Sequence, residues 1–358
     1  MRSAEIVRHR MHNQRLWGHR LDSPEEVVRW LGALQAQEYA YAKWSVAQRA
    51  AGVDEAAMDK ALAAGTILRT HILRPTWHFV SAEDIRWILK ISAPRVNALN
   101  AYYYRKNGLD DELFAATNAV IVNALERGHH LTRKELATVL EAAGFAASGL
   151  RLAYIIMRAE LDGIICSGTL RGKQQTYALL DERAPEARTM DTDEALAELT
   201  RRYFTARGPA TLKDYLRWSS LTAAEGKRGL NAIDSELERE VIDGRTYWFA
   251  MPSIDARKVT NVVDLVQGYD ECIMSYSESR DVLLAGVADL ANTPDAPPFL
   301  HAILLEGRLI GHWRHVLKKA SVAIETSFYR SFGRGEMSAF DAAAEDYGRF
   351  VARPLARL

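Results

Sequence analysis

The sequence predicts an α+β fold, mainly α, arranged as three tandem winged-helix units followed by a β-rich C-terminal unit. Three observations carry this reading. The order helix, helix, two-stranded hairpin occurs three times; Gly-containing turns punctuate the second and third hairpins; and after Pro252 helical spacing gives way to short alternating strands. The expected units are residues 1–100, 110–182, 191–252 and 253–358.

In the first unit, Ser23-Pro24-Glu25-Glu26 starts a helix, with a capping hydroxyl, proline at the first helical position and acids in the first turn. A second helix covers Ala56 to Ala64, and Thr66 to Val80 alternates like a hairpin with Pro75 confined to its edge. The second unit is the most legible. Leu131-Thr132-x-x-Glu135 has the form of a capping box opening a helix through Leu140, which Gly144 closes. A helix from Gly149 to Leu161 follows, then strands Ile164 to Leu170 and Gln174 to Leu180 across Arg171-Gly172-Lys173. The third unit has helices starting at Thr211 and running from Thr222 to about Leu237, then a hairpin over Asp243-Gly244. The last unit has strands His301 to Leu305, Arg308 to Val316 and Ser321 to Phe328. Asp181 to Asp193 reads as a linker, and residues 292–298 as a loop.

Composition narrows the classes. The 358 residues are 48% hydrophobic and 26% charged, which excludes disorder and a disulfide scaffold. Forty-six basic residues balance 46 acidic ones, so a polyanion partner requires the cations to be gathered on one face. Cys166 and Cys272 form no C-x-x-C pattern and read as core residues of a protein in a reducing cytosol. No run of 18 apolar residues occurs and the N-terminus lacks a signal-like stretch, so a cytoplasmic protein without membrane contact is expected.

No phosphate loop, dinucleotide fingerprint, nucleophile elbow or zincin motif is present, and no cofactor is implied. His312-x-x-His315 and His129-His130 lack a companion carboxylate or cysteine pattern, so no metal site is expected. The informative run is Trp30 to Tyr39. Val27, Val28, Leu31 and Leu34 form an apolar stripe, and Gln35 falls beside it. Gln35 and Gln37 converge only if the helix ends here and the backbone extends. By spacing alone, a helix end with two solvated amides is the plainer reading. A second run, Arg69 to Val80, places Arg69 with His71 and Thr76 with His78 on shared strand faces; with Arg74 these donors suit phosphate oxygens, or form a polar sheet edge. His312 and Arg314 alternate onto one side of a strand ahead of Lys318 and Lys319, a third basic face that solvation alone also explains.

At the two N-terminal runs the sequence resembles the AlkZ-like winged-helix DNA glycosylases. Leu34-Gln35-Ala36-Gln37 is similar to their catalytic Q-x-Q signature, and Leu73-Arg74-Pro75-Thr76-Trp77-His78 to a characteristic run after it. The resemblance implies an enzyme hydrolysing the N-glycosidic bond of N7-alkylated purines in double-stranded DNA, including bulky adducts and interstrand crosslinks. Gln37, where a sister branch carries Asp, places the chain with the AlkZ branch. Gln35 and Gln37 are then the catalytic pair, and Arg69, His71, Arg74, Thr76, His78, Arg314 and Lys318 the DNA-contact candidates, in a protein acting as a monomer. The chemistry suits two amides. An N7-alkylguanine is already cationic and leaves neutral, so no high-pKa acid is needed; one amide accepts from the attacking water while the other orients it, their oxygens turned toward the sugar cation.

The competing class is a winged-helix transcriptional regulator without catalysis. Leu150, Leu152, Tyr154, Ile155, Ile156, Met157 and Leu161 make the second unit's would-be recognition helix apolar nearly all round, as for buried scaffolding. Lys227, Arg228 and Asn231 in the third unit would suit a major groove and keep that alternative open.

Overall fold

Helices alternate with four small antiparallel sheets among the described residues of the computed structural model, which are 1–250, 259–283 and 301–356. The fold is α+β. The expected 292–298 loop lies outside these residues.

The first sheet has three strands, Leu34–Gln35, Trp77–Ser81 and Ile67–His71, with Trp77–Ser81 in the middle. It follows the helix Pro24–Leu31, which the Ser23 hydroxyl caps by accepting from the Glu26 N–H. That helix stops at Gly32, whose φ of 71° is one that an L side chain rarely adopts. The chain then extends, which is the condition under which the two glutamines can converge. Pro75 lies in the connection between the hairpin strands, not on a strand edge.

The second sheet joins Leu131–Thr132, Thr176–Leu179 and Ile165–Ser167, behind helices Arg133–Ala142 and Gly149–Leu161. The Thr132–Glu135 capping box is formed as the spacing requires. Both hairpin strands are shorter than their sequence patterns, and Leu150 is exposed, so the Gly149–Leu161 helix is buried on one side only. In the third segment, the helix beginning at Ala223 ends at Ala232, not near Leu237. A 3₁₀ turn at Asp234–Glu236 follows, and Leu237–Ile242 pairs with Arg245–Ala250 over six residue pairs. Alternation in the sheet wins over continuation of the helix. The expected linker contains a short helix, Leu180–Arg183, and Arg188 beyond it pairs with Glu83 and Asp84.

The last sheet runs in the order Val322–Phe328, Arg308–Leu317, His301–Leu305, Val263–Val266. A 17-residue helix, Arg334–Phe350, packs on it through Tyr347 and Phe350, an element absent from the β-rich expectation. Its Ala-rich composition with apolar residues at helical spacing explains it.

Packing joins distant parts of the chain. One core cluster brings Val27, Leu31, Leu34 and Phe79 together with Leu265, Ile303, Trp313 and Tyr347. Another unites Leu68, Val80 and Trp87 with Leu199, Tyr203, Phe204 and Trp218. A third cluster lies within residues 104–177. The N-terminal sheet is therefore held from two sides by elements more than about 100 residues away in the chain, and its position is fixed by burial of large apolar side chains.

Candidate active site

Strand register builds the site. Leu34 opposes Phe79 and Gln35 opposes His78, while His78 opposes Thr70 on the next strand. Gln35, His78 and Thr70 thus form one row across a sheet face. Arg69 opposes Phe79 and His71 opposes Trp77, which puts Arg69 and His71 on the other face.

Gln35 is buried and held from three directions. Arg74 Nη2 donates to its Oε1 at 3.0 Å, its backbone N–H donates to Glu271 Oε1 at 3.0 Å, and its carbonyl accepts from Gln267 Nε2 at 3.2 Å. Gln37, half-buried, turns its Oε1 to the backbone N–H of Trp77 at 3.1 Å. Both side-chain oxygens therefore meet protein donors. This differs from the expectation that the oxygens are turned toward the sugar cation, although each carbonyl oxygen retains a second lone pair. Neither Nε2 has a hydrogen-bond partner among the described residues.

Behind Gln35 lies a polar network that no local pattern announced. Glu271 Oε2 accepts from Arg207, from Ser275 Oγ at 2.7 Å and from Trp218 Nε1 at 2.8 Å. Arg207 pairs with Glu271 at 2.9 Å, both side chains fully buried. Desolvation alone would raise the Glu271 carboxyl; the guanidinium groups of Arg207 and Arg74 and the Ser275 hydroxyl overcome it and hold the carboxyl down at about 2. A parallel buried pair, Arg49 with Asp270, fixes the same segment.

His78 is neutral. Its Nδ1–H donates to the Thr76 carbonyl at 2.8 Å and its Nε2 accepts from Arg74 at 2.9 Å. Burial, with the Arg74 charge adding to it, lowers its pKa to about 3. Arg74 itself is lowered by burial to about 10, still charged at neutral pH.

The expected DNA contacts divide sharply. His71, Arg74 and His78 are interior: His71 meets Glu160, and Arg74 and His78 serve the Gln35 network. Their burial leaves no surface for a phosphate. Arg69 is half-buried, donates from Nε to the Ala36 carbonyl at 3.0 Å and lies 4.4 Å over the Trp77 ring. Thr76 is half-buried, and its hydroxyl has no hydrogen-bond partner among the described residues. Arg314 and Lys318 are exposed, Arg314 pairing with Glu325 across the strand at 2.6 Å. His312 meets Tyr329 and the His301 carbonyl, and His315 meets Tyr347.

Gln35, buried at the end of a short strand, and Gln37, half-buried just beyond it, lie beside a buried charge network, and comparison with known proteins gives the family. The model of the DNA glycosylase AlkZ-like family matches residues 28–350, and the chain belongs to that family. It is an enzyme, a DNA glycosylase that hydrolyses N-glycosyl bonds. A Streptomyces sahachiroi protein described as an interstrand DNA cross-link repair glycosylase is 24% identical over 325 residues, covering 87% of each chain. The solved structure of Streptomyces sahachiroi DNA glycosylase AlkZ superposes with a TM-score of 0.81 over 99% of both chains at 22% identity, a likeness of fold. The reading as a regulator without catalysis gives way. Among the described residues, no helix is long and apolar enough to cross a membrane.

Proposed function

We propose that this glycosylase removes N7-alkylated, cationic purines from double-stranded DNA, interstrand crosslinks among them, with a water positioned by Gln35 and Gln37. The observation that carries the reading is the paired-amide site without a candidate general acid. Glu271 is held ionised at about 2, and His78 is held neutral at about 3 with both ring nitrogens engaged. Neither can protonate a leaving base near neutral pH. A purine that already carries the alkyl-derived positive charge needs no such proton.

In this reading the water oxygen accepts from an amide Nε2–H, and the second lone pair of the other amide oxygen accepts one of its hydrogens. Arg74 and the Trp77 N–H keep the amides from rotating, and preorganisation of this kind is where a positioned polar group earns its rate. Arg74 and His78 act as positioning residues, while Arg69, Arg314 and Lys318 remain the candidates for phosphate contact. The product is an abasic site with an intact strand, since an amide cannot form a Schiff base. Incubation with duplexes carrying N7-methylguanine, and separately an N7-linked crosslink, tests the reading: base release and unhooking are expected, and inertness toward N7-methylguanine overturns it.

A further inference from the structure

Two amides can position a water but cannot take its proton, so any general base that accelerates hydrolysis at this site lies outside the Q-x-Q pair. The neighbouring titratable groups are occupied. Glu271 is fully buried with its oxygens engaged by Gln35, Arg207, Ser275 and Trp218, both His78 nitrogens are used, and His71 is bound to Glu160. Glu38, directly after Gln37, is different: its side chain is 41% exposed.

Glu38 occupies the N-cap position of the helix Tyr39–Ala47, yet its side chain does not cap that helix. It reaches instead to His301, whose Nε2 lies 3.3 Å from Glu38 Oε2. The tautomer of His301 is set from behind, because the Gly268 N–H donates to its Nδ1 at 3.1 Å, leaving Nε2–H to face the carboxylate. Tyr41, one helical turn beyond Glu38, stacks on the His301 ring at 3.6 Å and on His315 at 4.5 Å. The carboxylate thus lies against His301 just past the Q-x-Q run, at the start of the helix Tyr39–Ala47. A carboxylate next to the Q-x-Q run repels the phosphates of any DNA bound there, a cost that a purely structural contact could avoid with a neutral residue.

We propose that Glu38 is a further catalytic residue, the base that receives the proton of the attacking water, with His301 as its positioning residue. The inference rests on the function proposed above. The C1′–N9 bond breaks with its electron pair passing to the purine, which leaves neutral; the water oxygen bonds to C1′; and its proton passes to the Glu38 carboxylate and then to solvent.

The test is single-turnover release of N7-methylguanine by the full chain and its E38Q variant, with duplex affinity measured in parallel. Glutamine has the same shape and keeps an oxygen beside His301 Nε2, so E38Q removes charge and basicity with little change of shape. The expected result is a rate lower by about 10²-fold, on the scale of a lost general base, with affinity for the lesion duplex unchanged or tighter. Added formate should restore part of the rate of Glu38→Ala, an outcome that a structural role would not produce. If E38Q melts early, the formate rescue decides. An E38Q rate within about threefold of the parent, a loss wholly explained by weaker binding, or failure of formate to rescue Glu38→Ala overturns the assignment. A parent inert on this substrate sinks the underlying reading instead.

Discussion

Arg74 and Gln35 lie 39 residues apart in the chain, yet Arg74 Nη2 donates to Gln35 Oε1 at 3.0 Å while the same nitrogen contacts His78 Nε2 at 2.9 Å. One guanidinium thus fixes both the amide proposed as catalytic and the tautomer of its neighbour. Burial lowers its pKa only to about 10, so the clamp stays charged through the neutral range. Arg74→Ala should therefore lower excision about as much as Gln35→Ala, roughly 10²-fold, and the double variant should fall well short of the product of the two losses. Arg74→Lys should not recover the rate, because an ammonium cannot reproduce the planar fork. Full additivity in single-turnover assays would show that the two side chains act independently.

Glu271 should matter for stability more than for chemistry. Replacing it with Gln leaves Arg207 buried without its counter-charge, at a cost of about 3–5 kcal/mol readable in urea unfolding. The folded carboxyl sits at about 2 against 4.5 when free, so its contribution is fully present above about pH 4.5 and is lost as pH falls toward 2. A flat urea midpoint between pH 6 and pH 3 would contradict this.

Asp264 carries the opposite sign. Burial raises it to about 7 although Trp17 Nε1 donates to it at 2.9 Å. Between about pH 4 and 7 the folded state holds a proton that the unfolded chain has released, so stability declines as pH rises through that window. Asp264→Asn keeps an acceptor for Trp17 and cannot ionise. It should raise the unfolding free energy at pH 8 by on the order of a few kcal/mol, with a higher melting temperature, and do so less at pH 5. An equal effect at both pH values would refute the assigned cause.

DNA binding should separate surface cations from interior ones. Removing Arg314 or Lys318 should each reduce the slope of log K against log salt by about 0.9, whereas His78→Asn should leave the slope alone and reduce the rate. A slope change in His78→Asn, with none in the surface variants, would place the phosphates elsewhere.

The sequence made some of this legible for definite reasons. Gly32 and the alternation of Trp77 to Ser81 are local signals, and they bring Gln35 onto a short strand beside a hairpin, with Gln37 just beyond it. The Thr132 capping box is local in the same way. Glu271 was not readable as part of the site, because it reaches Gln35 across 236 residues and nothing near Glu271 resembles a motif. His71, Arg74 and His78 looked like surface donors because strand phase gives which face a residue shares, not what covers that face. Trp218 from a distant helix lies against Arg74, its carbonyl accepting from Arg74 at 3.4 Å, and Glu160 meets His71 on the other face. The helix Arg334–Phe350 has its apolar positions Phe340, Ala344 and Tyr347 at helical spacing, but the alternating strands ahead of it pointed to a β-rich end.

The most direct test of the account is single-turnover incubation of the parent, Gln35→Ala and Gln37→Ala with duplexes carrying N7-methylguanine, uracil or 8-oxoguanine, with borohydride added in parallel. The account predicts that the parent releases only the cationic base and leaves the strand unbroken until alkali, that no covalent adduct is trapped, and that each variant is slower by roughly 10²-fold with lesion binding little changed. Efficient release of uracil, a trapped adduct, or near-parental rates in both variants would contradict it.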